Sequence, residues 1–176
     1  MDAVNNIGLQ VTDFATHSAA GAGVWAMNFL ILLILFGLML GFSYKGGRGG
    51  IISLLLAFYA GYAIYSLFPF TNTVINAGGT PLLKAIISIV LYGIATYLPF
   101  HFIQRLTKGG FGIISFVPRF VLSLLAATFL LAVGYHVFHV SNIYTFPEPM
   151  NTLFGPDQYF FWWFIAPMLG LIFLVH

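Results

Sequence analysis

KGGRGGIIS, residues 45–53, puts four glycines and two cations into its first six positions, between two long apolar runs. A phosphate-cradling loop would need G-x-x-x-x-G-K-[ST] between a buried strand and a helix. Here the lysine comes first and Ser53 follows two isoleucines. A turn between membrane-spanning helices needs only residues that reverse the chain tightly, and glycine supplies the positive φ angles that tight turns use. The flanks favour the turn: residues 24–44 and 50–77 carry no charge, and each is long enough to cross a hydrocarbon core, which takes about 20 apolar residues. The stretch therefore reads as a turn that sets two spans antiparallel.

The rest of the chain has the same character. Of 176 residues, 60% are hydrophobic and 6% charged, and the mean hydropathy is +0.99, whereas soluble domains are about a quarter charged. The composition predicts one integral membrane domain over residues 1–176, with the lipid bilayer as its first partner. The pI near 9.0 rests on six Lys or Arg against four Asp or Glu. None of these cations forms a cluster dense enough to follow a nucleic acid backbone. The absence of cysteine removes disulfides, thiol catalysis and thiolate metal sites. The opening MDAVNNIGLQ has no cationic segment and does not resemble a cleaved secretory signal.

Apolar length predicts spans over residues 25–42, 51–68, 82–103 and 117–140, with a fifth apolar segment, 159–175, at the short limit and interrupted by Pro167. Ahead of them, Val4, Ile7, Val11 and Phe14 recur at helical spacing among polar residues, which predicts a short amphipathic helix at the interface. The expected fold is all-α and polytopic: a four-span core of two hairpins, the fifth segment and the N-terminal amphipathic helix.

Charge sets the expected orientation, because Lys and Arg near span ends stay on the cytoplasmic side while acids count little. Lys45 and Arg48 lie between spans one and two, and Arg105, Lys108 and Arg119 between spans three and four. All five fall on one side. Asp2, Asp13, Glu148 and Asp157 fall on the other, which predicts an outside N-terminus. Lys84 is the exception, at the outer mouth of span three, where its stem can snorkel to the headgroups. The basic turn has two readings: topology alone, or attraction of anionic lipid at about 1 kcal/mol per cation.

KGGRGGIIS has a near copy in KGGFGIIS at residues 108–115, and the apolar residues after each are alike. Duplicated hairpins in a parallel repeat and a chance likeness of glycine-rich membrane turns both fit. Small residues four apart, at Gly37 and Gly41, Ala57 and Gly61, Ser123 and Ala127, and Ala166 and Gly170, predict close helix packing. The pattern leaves open whether each neighbour is the same chain, a second copy or another membrane protein.

Chemistry has few candidates. The spans hold no Asp or Glu, which excludes intramembrane aspartyl proteolysis and weakens proton-coupled antiport. The absence of G-x-S-x-G and H-E-x-x-H makes serine and zinc hydrolysis improbable. His136 and His139 share a helix face near the outer end of span four, where Asp13, His17, Glu148 and Asp157 could join a metal site. The competing reading is interfacial hydrogen bonding, and no metal or cofactor is expected. Tyr59, Tyr62 and Tyr65 form a stripe on span two that either lines a polar path or packs between helices with its hydroxyls bonded to backbone. Trp25, Trp162 and Trp163 read as interface anchors. The segment 141–157 contains Pro147, Pro149 and Pro156 and is expected to be irregular, an outer loop that caps the bundle or meets a partner.

FLILLILFGLMLGFSYKGGRGGIISLLLAFYAGYAIYSLFPF, residues 29–70, resembles the colicin V production protein family. The family pattern is an apolar span ending in glycine, a short basic turn of the form G-x-x-[RK]-G, and a second span rich in leucine. Gly41, Lys45, Gly46, Arg48 and Gly49 carry it here. In the turn between spans three and four, RLTKGGFGIISFVPR lacks the aspartate that the family often shows. The resemblance implies a four-span bacterial inner-membrane protein with no established catalytic activity, linked to toxin production or export and to envelope upkeep. The alternative expectation is a small transporter or channel subunit acting as an oligomer.

Overall fold

The computed structural model describes residues 26–107, 116–138, 140 and 143–174, apart from the Arg48 side chain. The predicted N-terminal helix, Trp25, His139 and the repeat at 108–115 lie outside the described residues. Those described are helical, with short connections and no strand. The chain is an all-α polytopic membrane protein, and among the described residues five helices are long and apolar enough to cross a bilayer: α1 (Leu30–Gly47), α2 (Gly49–Leu67), α4 (Pro81–Thr107), α5 (Phe116–His136) and α7 (Asp157–Leu174). Two short helices, α3 (Thr71–Asn76) and α6 (Glu148–Phe154), lie between them.

Helical hydrogen bonding runs almost unbroken from Leu30 to Leu67, and one residue departs from it: Gly47, at φ 64° and ψ −164°. That conformation is open in practice only to glycine. The side-chain contacts show that the chain reverses there. Tyr44 lies against Arg119, and Phe36 meets Phe120 at 4.8 Å. Ile31, Leu32 and Leu35 pack towards the other end of α5, against Leu131, Ala132 and Tyr135, so α1 runs antiparallel to α5. By contrast Phe58 stacks on Phe129, and Tyr65 meets Phe138, so α2 runs with α5. The glycine-rich stretch is the turn of a helical hairpin, as its sequence predicts, though only one of its glycines leaves the helical conformation.

α4 returns antiparallel to α2, through a hydrogen bond of 2.8 Å between the Ser53 and Thr107 hydroxyls at one end and Tyr65 against Tyr92 at the other. Between these points Gly61 faces Thr96 so closely that a Cβ on Gly61 would come within 2.9 Å of Thr96 Cα. Ala57 is fully buried beside this crossing, which is the small-residue packing expected of the pair. Ser123 and Ala127 are likewise fully buried on α5, and Gly170 abuts Leu125. Gly37 and Gly41 differ: both are exposed, and among the described residues nothing lies within 4 Å of where their Cβ atoms would be.

Several boundaries depart from expectation: α1 lies at Leu30–Gly47 rather than 25–42, and α4 runs on to Thr107. α5 ends at His136, where Val137 and Phe138 both donate to the Val133 carbonyl and close the last turn. α4 begins at Pro81, because Thr80 Oγ1 accepts from the Leu83 N–H at 3.3 Å while proline occupies the first helical position, where its missing N–H costs nothing. α7 spans 18 residues, about 27 Å at 1.5 Å per residue, close to the roughly 30 Å hydrocarbon thickness.

The proline-rich segment is a correction. Rather than remaining irregular throughout, it forms α6 over Glu148–Phe154, with Pro147 extended before the helix and Pro149 inside its first turn, where proline is tolerated for the same reason as Pro81. Met150, Phe154 and Phe146 are buried against Leu131, Ala132 and Tyr135. Asn151 fastens the segment by accepting from the Tyr135 hydroxyl at 3.0 Å and donating to the Phe146 carbonyl at 2.9 Å. Trp163 belongs to this cap, its indole N–H donating to the Leu153 carbonyl and its ring stacked on Phe154, whereas Trp162 is exposed.

Candidate functional site

The antiparallel order places the charged residues by geometry alone. Lys45 lies in the last turn of α1, Arg105 closes α4 and Arg119 opens α5, so the three gather at the end of the bundle tied by Ser53 and Thr107. The Arg119 guanidinium lies over the Tyr44 ring, 4.7 Å from its centroid, a cation–π contact that holds α1 to α5. In the basic turn, Lys45 and Gly46 are exposed, Gly47 makes the reversal, and a Cβ on Gly49 would stand 3.6 Å from the Thr107 carbonyl oxygen. Gly50 is buried near the Phe42 ring. Glu148 and Asp157 open α6 and α7 at the opposite end.

The tyrosine stripe divides between two neighbours. Tyr59 donates to the Phe164 carbonyl of α7, three residues before Pro167, and its ring packs on Phe129 and Phe164. Tyr62 meets Phe160 and Phe164. Tyr65 instead turns to Tyr92 of α4 and Phe138. The reason is rotational: residues three apart fall short of a full helical turn by about 60°, so the first and third tyrosines differ by about 120°.

His136 stacks on Phe160 at 4.7 Å, and its Nε2 lies 3.8 Å from Asp157 Oδ1, too long for a hydrogen bond. Among the described residues no three His, Asp or Glu side chains gather in a way that could hold a metal ion. His139, Asp13 and His17 lie outside the described residues.

One concave site was not anticipated. At the end opposite Lys45 and Arg105, a cavity of about 860 Å³ opens between the end of α2, α3 and the start of α4. Tyr65, Ser66, Asn72, Lys84 and Ser88 are on its walls. Three local features shape it. Thr71 Oγ1 donates to the Tyr65 and Phe68 carbonyls and fixes the entry to α3. Gly78 is buried with Lys84 N only 3.0 Å from where a Cβ would stand, which lets the turn close onto α4. Lys84 Nζ then reaches Asn76 Oδ1 at 3.3 Å. The sequence signal was present in TNTVINAGGTP, residues 71–81, a polar run between two spans. Its spacing does not reveal that it folds back over the bundle.

Comparison of the chain with protein-family models, with curated proteins and with solved structures gives no match.

Proposed function

We propose that this chain is a non-enzymatic multi-pass membrane protein that acts through contact with a partner helix, supplied by a second copy or by another membrane protein. The observation that carries this reading is the outward face of α1. Three of the four small-residue pairs are spent on packing inside the chain, whereas Gly37 and Gly41 face outward among exposed Leu33, Ile34 and Leu38. Helix association in lipid depends on van der Waals contact, and two glycines one turn apart allow the closest backbone approach. With Gly41, Lys45, Gly46, Arg48 and Gly49 matching the colicin V production pattern, we place the protein in a bacterial inner membrane with its N-terminus outside. Its role there is toxin production or export, or envelope upkeep.

A second reading, a small oligomeric transporter or channel subunit, draws on the cavity beside Tyr65. Against a tyrosine-lined path stands the split of Tyr59 and Tyr62 from Tyr65, and the use of the Tyr59 hydroxyl on a backbone carbonyl. Two measurements separate the readings. In-membrane cross-linking should recover a partner or dimer that the Gly37→Ile, Gly41→Ile double variant loses, with the fold of the described residues intact because neither position has a neighbour among them. Solute flux in liposomes that is abolished by replacing Tyr59 or Tyr65 with phenylalanine would overturn the first reading in favour of the second.

A further inference from the structure

Lys84 is the one described Lys or Arg at the end of the bundle where the acids are expected, yet no described carboxylate pairs with it: its ammonium meets the neutral Asn76 amide, and neither Glu148 nor Asp157 lines the cavity it faces. Snorkelling accounts for the depth of such a lysine but not for its place on the wall of a concave site that is open on one side. An ammonium has three donors, of which Asn76 takes one. Ser66 and Asn72 add exposed polar groups on the same wall, while the hydroxyls of Thr71 and Ser88 already donate to backbone carbonyls. The remaining polar capacity favours a negative charge. The other walls are apolar: Ile75, Val137 and Phe138.

Size narrows the class further. The cavity of about 860 Å³ lies within the roughly 300–1,000 Å³ typical of small-molecule sites, and a lone ion with its few waters, at about 30 Å³ per water, would leave most of it unfilled. Its position at the mouth of α2 and α4, with α3 across it, puts it where the membrane meets water. We propose that this cavity binds an amphiphilic anion, with a phosphate or carboxylate head on Lys84 and an apolar portion over Ile75, Val137 and Phe138. The head comes either from an anionic phospholipid of the adjoining leaflet or from a soluble organic anion.

The test uses the full chain in a neutral detergent and reads thermal unfolding against added probe. The probes are dihexanoyl phosphatidylglycerol, dihexanoyl phosphatidylcholine, octyl phosphate and inorganic phosphate. Saturable stabilisation by phosphatidylglycerol or by octyl phosphate, but not by phosphatidylcholine, is expected. Response to the lipid alone assigns the membrane source, and response to octyl phosphate alone assigns the soluble one. Lys84→Gln should weaken the effective probe at least about tenfold, the size of one lost charge-assisted hydrogen bond. Lys84→Arg should retain it, and Lys45→Gln at the far end should leave it unchanged. The proposal is overturned by equal stabilisation with phosphatidylcholine, by inorganic phosphate binding as tightly as octyl phosphate, by a Lys84→Gln response equal to the wild type, or by no saturable response. Retention of binding in Lys84→Arg guards against reading a folding defect in Lys84→Gln as lost affinity.

Discussion

Gly47 shows how much of this fold rests on one backbone conformation. At φ 64° and ψ −164° any L side chain is strained, at a cost of roughly 1–3 kcal/mol, while a Cβ on Gly46, the residue before it, would make only ordinary contact with the Phe42 ring, at 3.6 Å. The two neighbours should therefore respond differently to the same change. Gly47→Ala is expected to lower stability by about 1–3 kcal/mol. Gly46→Ala should be neutral or slightly stabilising, because alanine is the better helix former. Denaturant unfolding in detergent, followed by helical circular dichroism, distinguishes them; equal losses would contradict the assignment of the reversal to Gly47. That a glycine-rich run turns the chain is legible in KGGRGG. Which glycine does so is not, because four candidates share the composition and only the packing of both helices selects one.

At the scale of elements, the close approach of α2 to α4 is set by Gly61 against Thr96. An added methyl there collides with Thr96 Oγ1 and presses on Thr96 Cα, so Gly61→Ala should destabilise by about 1–3 kcal/mol through overpacking. Thr96→Ala removes the hydroxyl but leaves Cα in place, so the double variant should recover part of the loss and not all of it. A double-mutant cycle on unfolding free energies checks this, and strict additivity would mean that the two residues do not meet. The five spans were legible because apolar length alone identifies them. α3 and α6 were not. Each is six or seven residues long, too short for periodicity to register, and the prolines that suggested an irregular loop occupy helix-start positions where they are tolerated. The tyrosine stripe misled for a related reason, since spacing by three suggests a shared face that rotation divides between α7 and α4.

The whole molecule is organised by sidedness. The antiparallel order of α1, α2, α4 and α5 brings Lys45, Arg105 and Arg119 to one end, and Asn76, Lys84, Glu148 and Asp157 to the other. Charge bias in the sequence led to the same partition by an independent route, retention of cations on one side of a bilayer. What charge counting left unexplained is Lys84, whose surroundings depend on α3 folding back across the mouth of the bundle. Because the chain has no cysteine, single-cysteine variants can be labelled without a background. The most direct measurement is labelling of K45C, R105C, N76C and E148C by a membrane-impermeant maleimide, in sealed and in permeabilised cells. All four positions are exposed. N76C and E148C are expected to react in sealed cells, and K45C and R105C only after permeabilisation; labelling of K45C and R105C from opposite faces would contradict the account.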